Sequence, residues 1–513
     1  MTENYLNILA ETIRNNWDQP ALTDFYLTED GTAQDTSRGN HYTYGEMYAE
    51  ICREANLLTS LGLKKGDHIA ICGANSAHWV IAYLAIAKMQ GVSVTVMHTL
   101  MPDEIARLVA FSDAKALFTD EDLWEELKEQ SLQQLESVIA LEDWNVLFGK
   151  KQIINHKFEI INRECEFDPV PPDSLAMICF TSGTSGRAKG VMLSYRNISV
   201  TTECVSEAYP PHRNKKILSY FPLAHAFGLG LEIVVPITRG CRIFLYRGEL
   251  RADSLLRAIR CVRPYLSIMV PSIVEKLADA GMLKLLLFKL LGIEYIVIGG
   301  SGLSAKIGKK MKKFRIPVAP GYGMTETVAL ISLIVPSAYR EGTSGRVCNA
   351  LKLRISPAGE ILVKGENVML GYYKDPEATA RKIDSDGWLH TGDKGHLDED
   401  GYLYVEGRLE QDIIVLPNGE NIRPDNIESL INALPEVSES IVLARDGKLV
   451  AIVVPDSQMS NHKSQITNTD LRRMIMRNVN PSLPLFSQLY DVEITDQPLA
   501  RTEKKTLKRY LYK

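Results

Sequence analysis

The chain has 513 residues, too many for one ordinary domain, so two or more domains with a large buried core are expected. Hydrophobic residues make up 45% and charged residues 24%, which excludes a disordered or fibrous chain. A net charge of −5 gives no ground for a nucleic-acid partner, and the basic stretch from Arg501 to Lys513 reads equally as a solvated terminal face or a dock for an anion.

In chain order, the first segment, "MTENYLNILAETIRNNWDQP", carries acids and no continuous apolar core. No secretory signal is expected, and the expected location is the cytoplasm. Thr43 and Glu46 have the spacing of a capping box, and Met47, Ile51 and Leu58 then fall on one helix face. A short apolar strand over 68–72, an apolar helix over 77–91 ending at glycine and a second strand over 92–97 make a βαβ unit, hence a parallel sheet faced by helices. The most apolar stretch, 281–300, is broken by Lys284, Lys289 and Glu294, so it reads as a helix followed by a buried strand and not as a membrane span.

Further on, 359–365 and the segments flanking Asp400 and Gly401 read as antiparallel strands joined by a tight turn. After "EGRLEQD" a strand "IIVLP", a turn "NGEN", a helix "PDNIESLINAL", a strand "SIVLAR", a turn "DG" and a strand "LVAIVVP" form an α+β module of the usual domain size. The boundary is placed at 408–410, giving domains 1–408 and 409–513. The eight cysteines show no CxxC pair and no metal-ligand spacing, so buried reduced thiols are expected.

One loop stands out for chemistry. "TSGTSGRAKG", 181–190, combines hydroxyls, glycines and Lys189, a composition suited to wrapping a polyanion. It does not fit GxxxxGK[ST], because Ala188 precedes and Gly190 follows Lys189, and the next run, "VMLSY", is strand-like where a nucleoside-triphosphatase loop opens a helix. Alone it reads as readily as a plain flexible turn.

Its company changes the weight. "FPLAHAFG" (221–228), "GGSGLS" (299–304), "GYGMTE" (321–326), "GYYKDPEAT" (371–379), "DGWLHTGD" (386–393) and "GRLEQDIIVLPNGENIRPDNIE" (407–428) follow in order. Singly each has a dull account: His225 as a core histidine, Glu326 as a helix N-terminal acid, Asp393 as a turn former. Together, over nearly the whole chain, they resemble the acyl-adenylate-forming superfamily of acyl- and aryl-CoA synthetases, adenylation domains and luciferases, and look most like fatty acyl-CoA ligases.

The resemblance implies an α/β fold: a large N-terminal domain with parallel and mixed sheets and a β-barrel-like subdomain, plus a small mobile α+β C-terminal domain. It implies a two-step reaction in which a carboxylate, expected to be a medium- or long-chain fatty acid, attacks ATP to give acyl-AMP and pyrophosphate. A thiol, usually coenzyme A, then displaces AMP. ATP, Mg²⁺ and coenzyme A are the expected cofactors and co-substrates, with no membrane span and peripheral membrane contact left open. The alternatives are an enzyme for an aryl or small acid, one that loads a carrier-protein thiol, and a non-catalytic acyl- or nucleotide-binding homologue.

Residue by residue, the resemblance places Thr181, Ser182, Gly183, Thr184, Ser185 and Lys189 on the phosphates, with Ala188 where many relatives have proline. Gly300, Ser301, Gly321 and Tyr322 would form the adenine slot, Asp393 would accept both ribose hydroxyls, and Arg408 would add a ribose or phosphate contact. Thr325 would bind phosphate or the acyl carboxylate, and Glu326, with Thr184, would hold Mg²⁺. His225 would stand at the mouth of the acyl pocket. No acid adjoins it, and Glu232 comes later, so a substrate without an amine is expected. The apolar run 229–237 reads as an alkyl-chain tube or as ordinary core. Gly419 would line the thiol tunnel. Two departures stand out: the hinge position carries Glu410, and the family's catalytic lysine aligns with Thr506, so Lys505, with Lys504 second, is the expected replacement.

Overall fold

The computed structural model describes residues 2–35, 38–130, 132–149, 163–181, 188–210, 213–248, 251–269, 273–274, 290–299, 305–408, 414–418, 420–456, 467–500 and 511–512. The chain divides into two compact units, and the division along the sequence falls between Gly407 and Arg408.

The capping box forms as its spacing predicts. Thr43 Oγ1 accepts from the Glu46 amide at 3.2 Å and the Glu46 carboxylate accepts from the Thr43 amide at 2.8 Å, starting the helix Tyr44–Ser60. Met47, Ile51 and Leu58 are fully buried along one face. The expected βαβ unit is present: strand His68–Cys72 pairs parallel with Val92–Thr95, and the helix Ala77–Lys88 between them is capped by Ser76 and buried over its first eleven residues. That helix stops short of the glycine, because Gln90 already takes the left-handed conformation, φ 58°.

These strands belong to an eight-stranded sheet whose parallel centre runs Ser137–Ala140, Ala116–Thr119, His68–Cys72, Val92–Thr95 and Leu175–Thr181. Lys189–Ser194 turns back antiparallel beside Leu175–Thr181, and Gly371–Tyr372 adds antiparallel to that edge. A second, nine-stranded sheet has the parallel strands Pro20–Phe25, Arg242–Tyr246, Lys216–Ser219, Leu266–Met269, Tyr295–Ile298 and Val318–Tyr322 in that spatial order.

The strand expected at the end of 281–300 is Tyr295–Ile298; the helix expected before it lies outside the described residues. Among the described residues no helix is long and apolar enough to cross a membrane. The barrel-like subdomain is a four-stranded sheet in the order Leu351–Ile355, Glu360–Gly365, Leu389–Leu397 and Leu403–Arg408, with Gly401 at φ 79° in the tight turn.

The smaller unit realises its sequence pattern. Val437–Arg445 and Lys448–Pro455 pair antiparallel across Asp446 and Gly447, both at positive φ, as an Asp-Gly hairpin turn requires. Leu489–Ile494 joins parallel, and helices Pro424–Asn432 and Asn468–Val479 cover a core containing Ile431, Val442, Val453 and Ile475.

The cysteines need one correction. Cys204, in the helix Tyr195–Ala208, and Cys348, just after strand Arg346–Val347, form a disulfide with Cα atoms 6.3 Å apart. Fold geometry, invisible in a spacing of 144 residues, brings them together. Cys52, Cys72, Cys165, Cys179, Cys241 and Cys261 form no disulfide, and all but Cys261 are buried.

A buried acid sets a pH dependence. Glu54 is 1% exposed, and burial first, then the nearby Glu50 carboxylate, push its carboxyl up to about 8. A raised folded-state value contributes stability below the unfolded carboxylate range that is lost as pH rises through about 8. Glu54→Gln should therefore match the wild-type melting temperature near pH 5 and exceed wild-type stability near pH 8 by about 1–3 kcal/mol.

Candidate adenylate-forming site

The antiparallel turn-back that follows the parallel strand Leu175–Thr181 puts Lys189 opposite Thr181 at the end of the pair. Between them, Ser182, Gly183, Thr184 and Ser185 lie outside the described residues, as do Gly300, Ser301, Glu410, Gly419, Lys504 and Lys505. Arg408 ends its strand, and its side chain is likewise undescribed.

What the sheet order brings together is informative. Gly371 pairs with Met192 and Tyr372 with Val191, so the motif at 371 lies beside the strand leaving the phosphate loop. The Lys189 ammonium then stands 4.7 Å from the centre of the Tyr372 ring, a cation–π contact. From the same ring, the Tyr372 hydroxyl donates to Glu326 Oε1 at 2.6 Å. Burial, then the Glu326 carboxylate, push the phenol far above its ordinary value, so it stays protonated and can donate. Tyr372 thus joins the loop lysine to the expected metal-holding acid. Reading the sequence missed it because a tyrosine in "GYYKDP" carries no signal of its partner.

Glu326 is 7% exposed in a short 3₁₀ turn, Thr325–Thr327, that also buries Thr325. The turn is held from outside: the buried Asn367 Nδ2 donates to Thr327 O at 3.1 Å and Leu330 O at 2.7 Å, and the Met369 amide to Glu326 O at 2.8 Å. Val328 and Ala329 follow at φ 49° and 60°, left-handed positions costly for residues with a Cβ. The loop passes so close to Gly323 that a Cβ there would stand 2.1 Å from Ala329 O, which fixes glycine in "GYGMTE".

Tyr322 ends the strand Val318–Tyr322, and its hydroxyl donates to Asp393 Oδ2 at 2.5 Å, so two motifs widely separated in sequence meet. Gly321 precedes it, and Asp393 is 6% exposed within strand Leu389–Leu397.

His225 caps a short helix, Ala226–Gly228, and no described contact joins it to the groups above. Loss of hydration among the surrounding groups lowers its pKa, which keeps the ring uncharged at neutral pH. In the run after it, Leu229, Ile233, Val234, Val235 and Ile237 are buried in the main core, while Gly230 and Leu231 are half-buried and Gly230 faces open space.

Glu232 is fully buried in a single π-helical turn, Leu229–Val234. Its Oε2 accepts from Ser219 Oγ at 3.0 Å and from the amides of Tyr220 at 2.9 Å and Phe221 at 3.0 Å. Burial pushes the carboxyl up to about 8, which leaves it mostly uncharged at neutral pH.

The donors fit Mg²⁺. Among the described residues no cluster of three acids, histidines or cysteines forms a cage, and Glu326 offers a single hard carboxylate. That is the usual protein share for a Mg²⁺ held largely by nucleotide phosphates. A test of the Tyr372 bridge follows: Tyr372→Phe keeps the ring under Lys189 and removes one hydrogen bond to a carboxylate. It should lower the rate of ATP–pyrophosphate exchange about tenfold, with a melting temperature close to wild type.

Comparison with known proteins identifies the family. The AMP-binding enzyme family model matches residues 9–373, and the model of the AMP-binding enzyme C-terminal domain matches 411–512. A 2-succinylbenzoate–CoA ligase of Bacillus licheniformis is 30% identical over 80% of this chain and 83% of its own length. The 4-coumarate–CoA ligase 3 of Arabidopsis thaliana is 26% identical over 93% of this chain and 87% of its own. The fold matches an o-succinylbenzoate CoA synthetase of Bacillus subtilis, solved with a product analogue, at a TM-score of 0.76, 23% identity and coverage of 98% and 97%. These relatives are named for aryl acids, and they do not single out the fatty acyl-CoA ligases expected from the sequence. The chain belongs to the AMP-binding enzyme family, in the acyl- and aryl-CoA ligase branch of the acyl-adenylate-forming superfamily, which uses ATP, Mg²⁺ and coenzyme A.

Proposed function

We propose that this protein adenylates an aromatic or similarly compact carboxylic acid lacking an amine and transfers its acyl group to coenzyme A. The observation that carries the choice of acid is an aromatic pair, Phe221 and Phe227, that flanks His225 in sequence and forms a wall. Phe227 lies against Gly299 so closely that a Cβ at 299 would stand 2.3 Å from its ring, and Phe221 meets Phe227 edge-on at 5.4 Å. Flat rings that flank an uncharged imidazole in sequence suit a planar acid. Leu229, Ile233, Val234, Val235 and Ile237 are taken up in the core, which leaves little of the run to line a tube for a long alkyl chain.

In the first step a carboxylate oxygen of the acid attacks the α-phosphorus of ATP. The new O–P bond forms as the bond to the β-phosphate breaks, and pyrophosphate leaves with both electrons. Tyr322 offers its ring to adenine and Asp393 accepts from the ribose. Thr181, Lys189 and the loop between them hold the outgoing phosphates, and Thr325 binds a phosphate or acyl oxygen. Glu326 would hold Mg²⁺, which spreads the developing phosphate charge. Lys505, with Lys504 as its alternative, supplies the cation at the α-phosphate. In the second step the thiolate of coenzyme A attacks the acyl carbon, a C–S bond forms, and AMP departs as the C–O bond breaks.

The test is a panel of acids scored by ATP–pyrophosphate exchange and by thioester formation. Aryl acids such as 4-coumarate and 2-succinylbenzoate are compared with fatty acids of medium and long chain, and coenzyme A with a carrier-protein phosphopantetheine. Turnover of aryl acids with coenzyme A is expected. A preference for long-chain acids would restore the fatty-acid reading, and no exchange with any acid would leave a non-catalytic binding protein.

A further inference from the structure

We propose that Glu232, together with Asn75, is a positioning residue that fixes the turn carrying His225 and the aromatic wall, and so sets affinity for the acid but not for ATP. The inference rests on the proposed role of His225 at the acid.

The turn from Tyr220 to Ala224 links strand Lys216–Ser219 to the helix that His225 caps. Its backbone groups are held largely by side chains from elsewhere. Glu232 accepts the amides of Tyr220 and Phe221. Asn75, in the loop after strand His68–Cys72, donates through Nδ2 to Phe221 O at 2.6 Å and accepts the Leu223 amide through Oδ1 at 3.0 Å. Thr95 Oγ1 donates to Ala224 O at 2.8 Å. The turn is therefore fastened to the neighbouring sheet by Asn75 and Thr95 and to the π-helical turn by Glu232.

Glu232 has the chemistry of a chosen brace. An acid with no exposed surface is costly to bury, and a leucine would fill the space more cheaply. One oxygen takes three donors, while Oε1 has no hydrogen-bond partner among the described residues. A single π-helical turn is itself an irregularity that tends to accompany functional sites. Here it presents the carboxyl to the end of the strand, where the turn begins. Phe221 and Phe227 flank His225 in sequence, so a shift at 220–221 moves the wall and the imidazole together.

The experiment compares Glu232→Ala, Glu232→Gln, Asn75→Ala and His225→Ala in the intact protein, reading KM for an aryl acid and for ATP separately in the exchange assay. Glu232→Ala should raise KM for the acid about tenfold or more, with KM for ATP within about twofold. Asn75→Ala should act in the same direction, and Glu232→Gln should restore most of the loss, because the amide oxygen still accepts from the turn. If Glu232→Ala fails to fold, Asn75→Ala and Ser219→Ala read the same brace. Equal loss for acid and ATP, or no change in the acid KM, overturns the positioning role. If His225→Ala raises the acid KM while the brace variants do not, only this inference fails; if His225→Ala has no effect, the reading of the wall fails and takes the inference with it.

Discussion

Asp393→Ala should abolish most ATP use: kcat/KM for ATP in pyrophosphate exchange is expected to fall about 10²–10⁴-fold. The carboxyl is 6% exposed and already engaged with the Tyr322 hydroxyl at 2.5 Å, so its position is fixed before nucleotide arrives. In the proposed nucleotide site the carboxylate would accept two ribose hydroxyls, charge-assisted hydrogen bonds worth about 1.5–3 kcal/mol each, which gives that range. Removal also strips the Tyr322 hydroxyl of its carboxylate partner. Asp393→Asn, which keeps one acceptor, should fall between wild type and alanine. The loss should appear in KM for ATP and leave KM for the acid nearly unchanged. A variant with wild-type ATP kinetics would remove Asp393 from the nucleotide site.

The second large effect is expected from Glu326→Gln, a change of almost no volume. The carboxylate is buried, receives the Tyr372 hydroxyl and sits in a turn held by Asn367, so an amide would keep the packing and lose the charge. Exchange should drop about 10²–10³-fold, the scale on which a group acting on transition-state charge is felt. The Mg²⁺ concentration giving half-maximal rate should also rise. Tyr372→Phe, which leaves the carboxylate in place, should shift that Mg²⁺ dependence in the same direction by less. Should Glu326→Gln slow the reaction with an unmoved Mg²⁺ dependence, Glu326 acts in the turn and not at the metal.

Much of this protein was legible before folding, and the legible parts share a cause. The capping box at Thr43 and Glu46, the Asp446–Gly447 hairpin and the βαβ alternation over 68–97 depend on residues within a few turns of one another. Backbone sterics and hydrophobic periodicity act locally, so spacing suffices to read them. The six ordered motifs likewise pointed to the family, because each is a short stretch whose likeness is carried by its own residues, in an order that the chain preserves.

What the sequence left open are contacts made across the fold. Tyr372 reaches Glu326 over 46 residues only because Gly371–Tyr372 is added to the edge beside Lys189–Ser194. Glu232 was read as an acid remote from His225, and the π-helical turn instead brings it beneath the strand end that leads to that histidine. Cys204 and Cys348 became partners, and most of the apolar run after His225 became core, through the packing of helices and strands. Local pattern determines which elements form and which chemistry they carry. The order of strands in the sheets, a global outcome of burying all those faces at once, decides which side chains face one another.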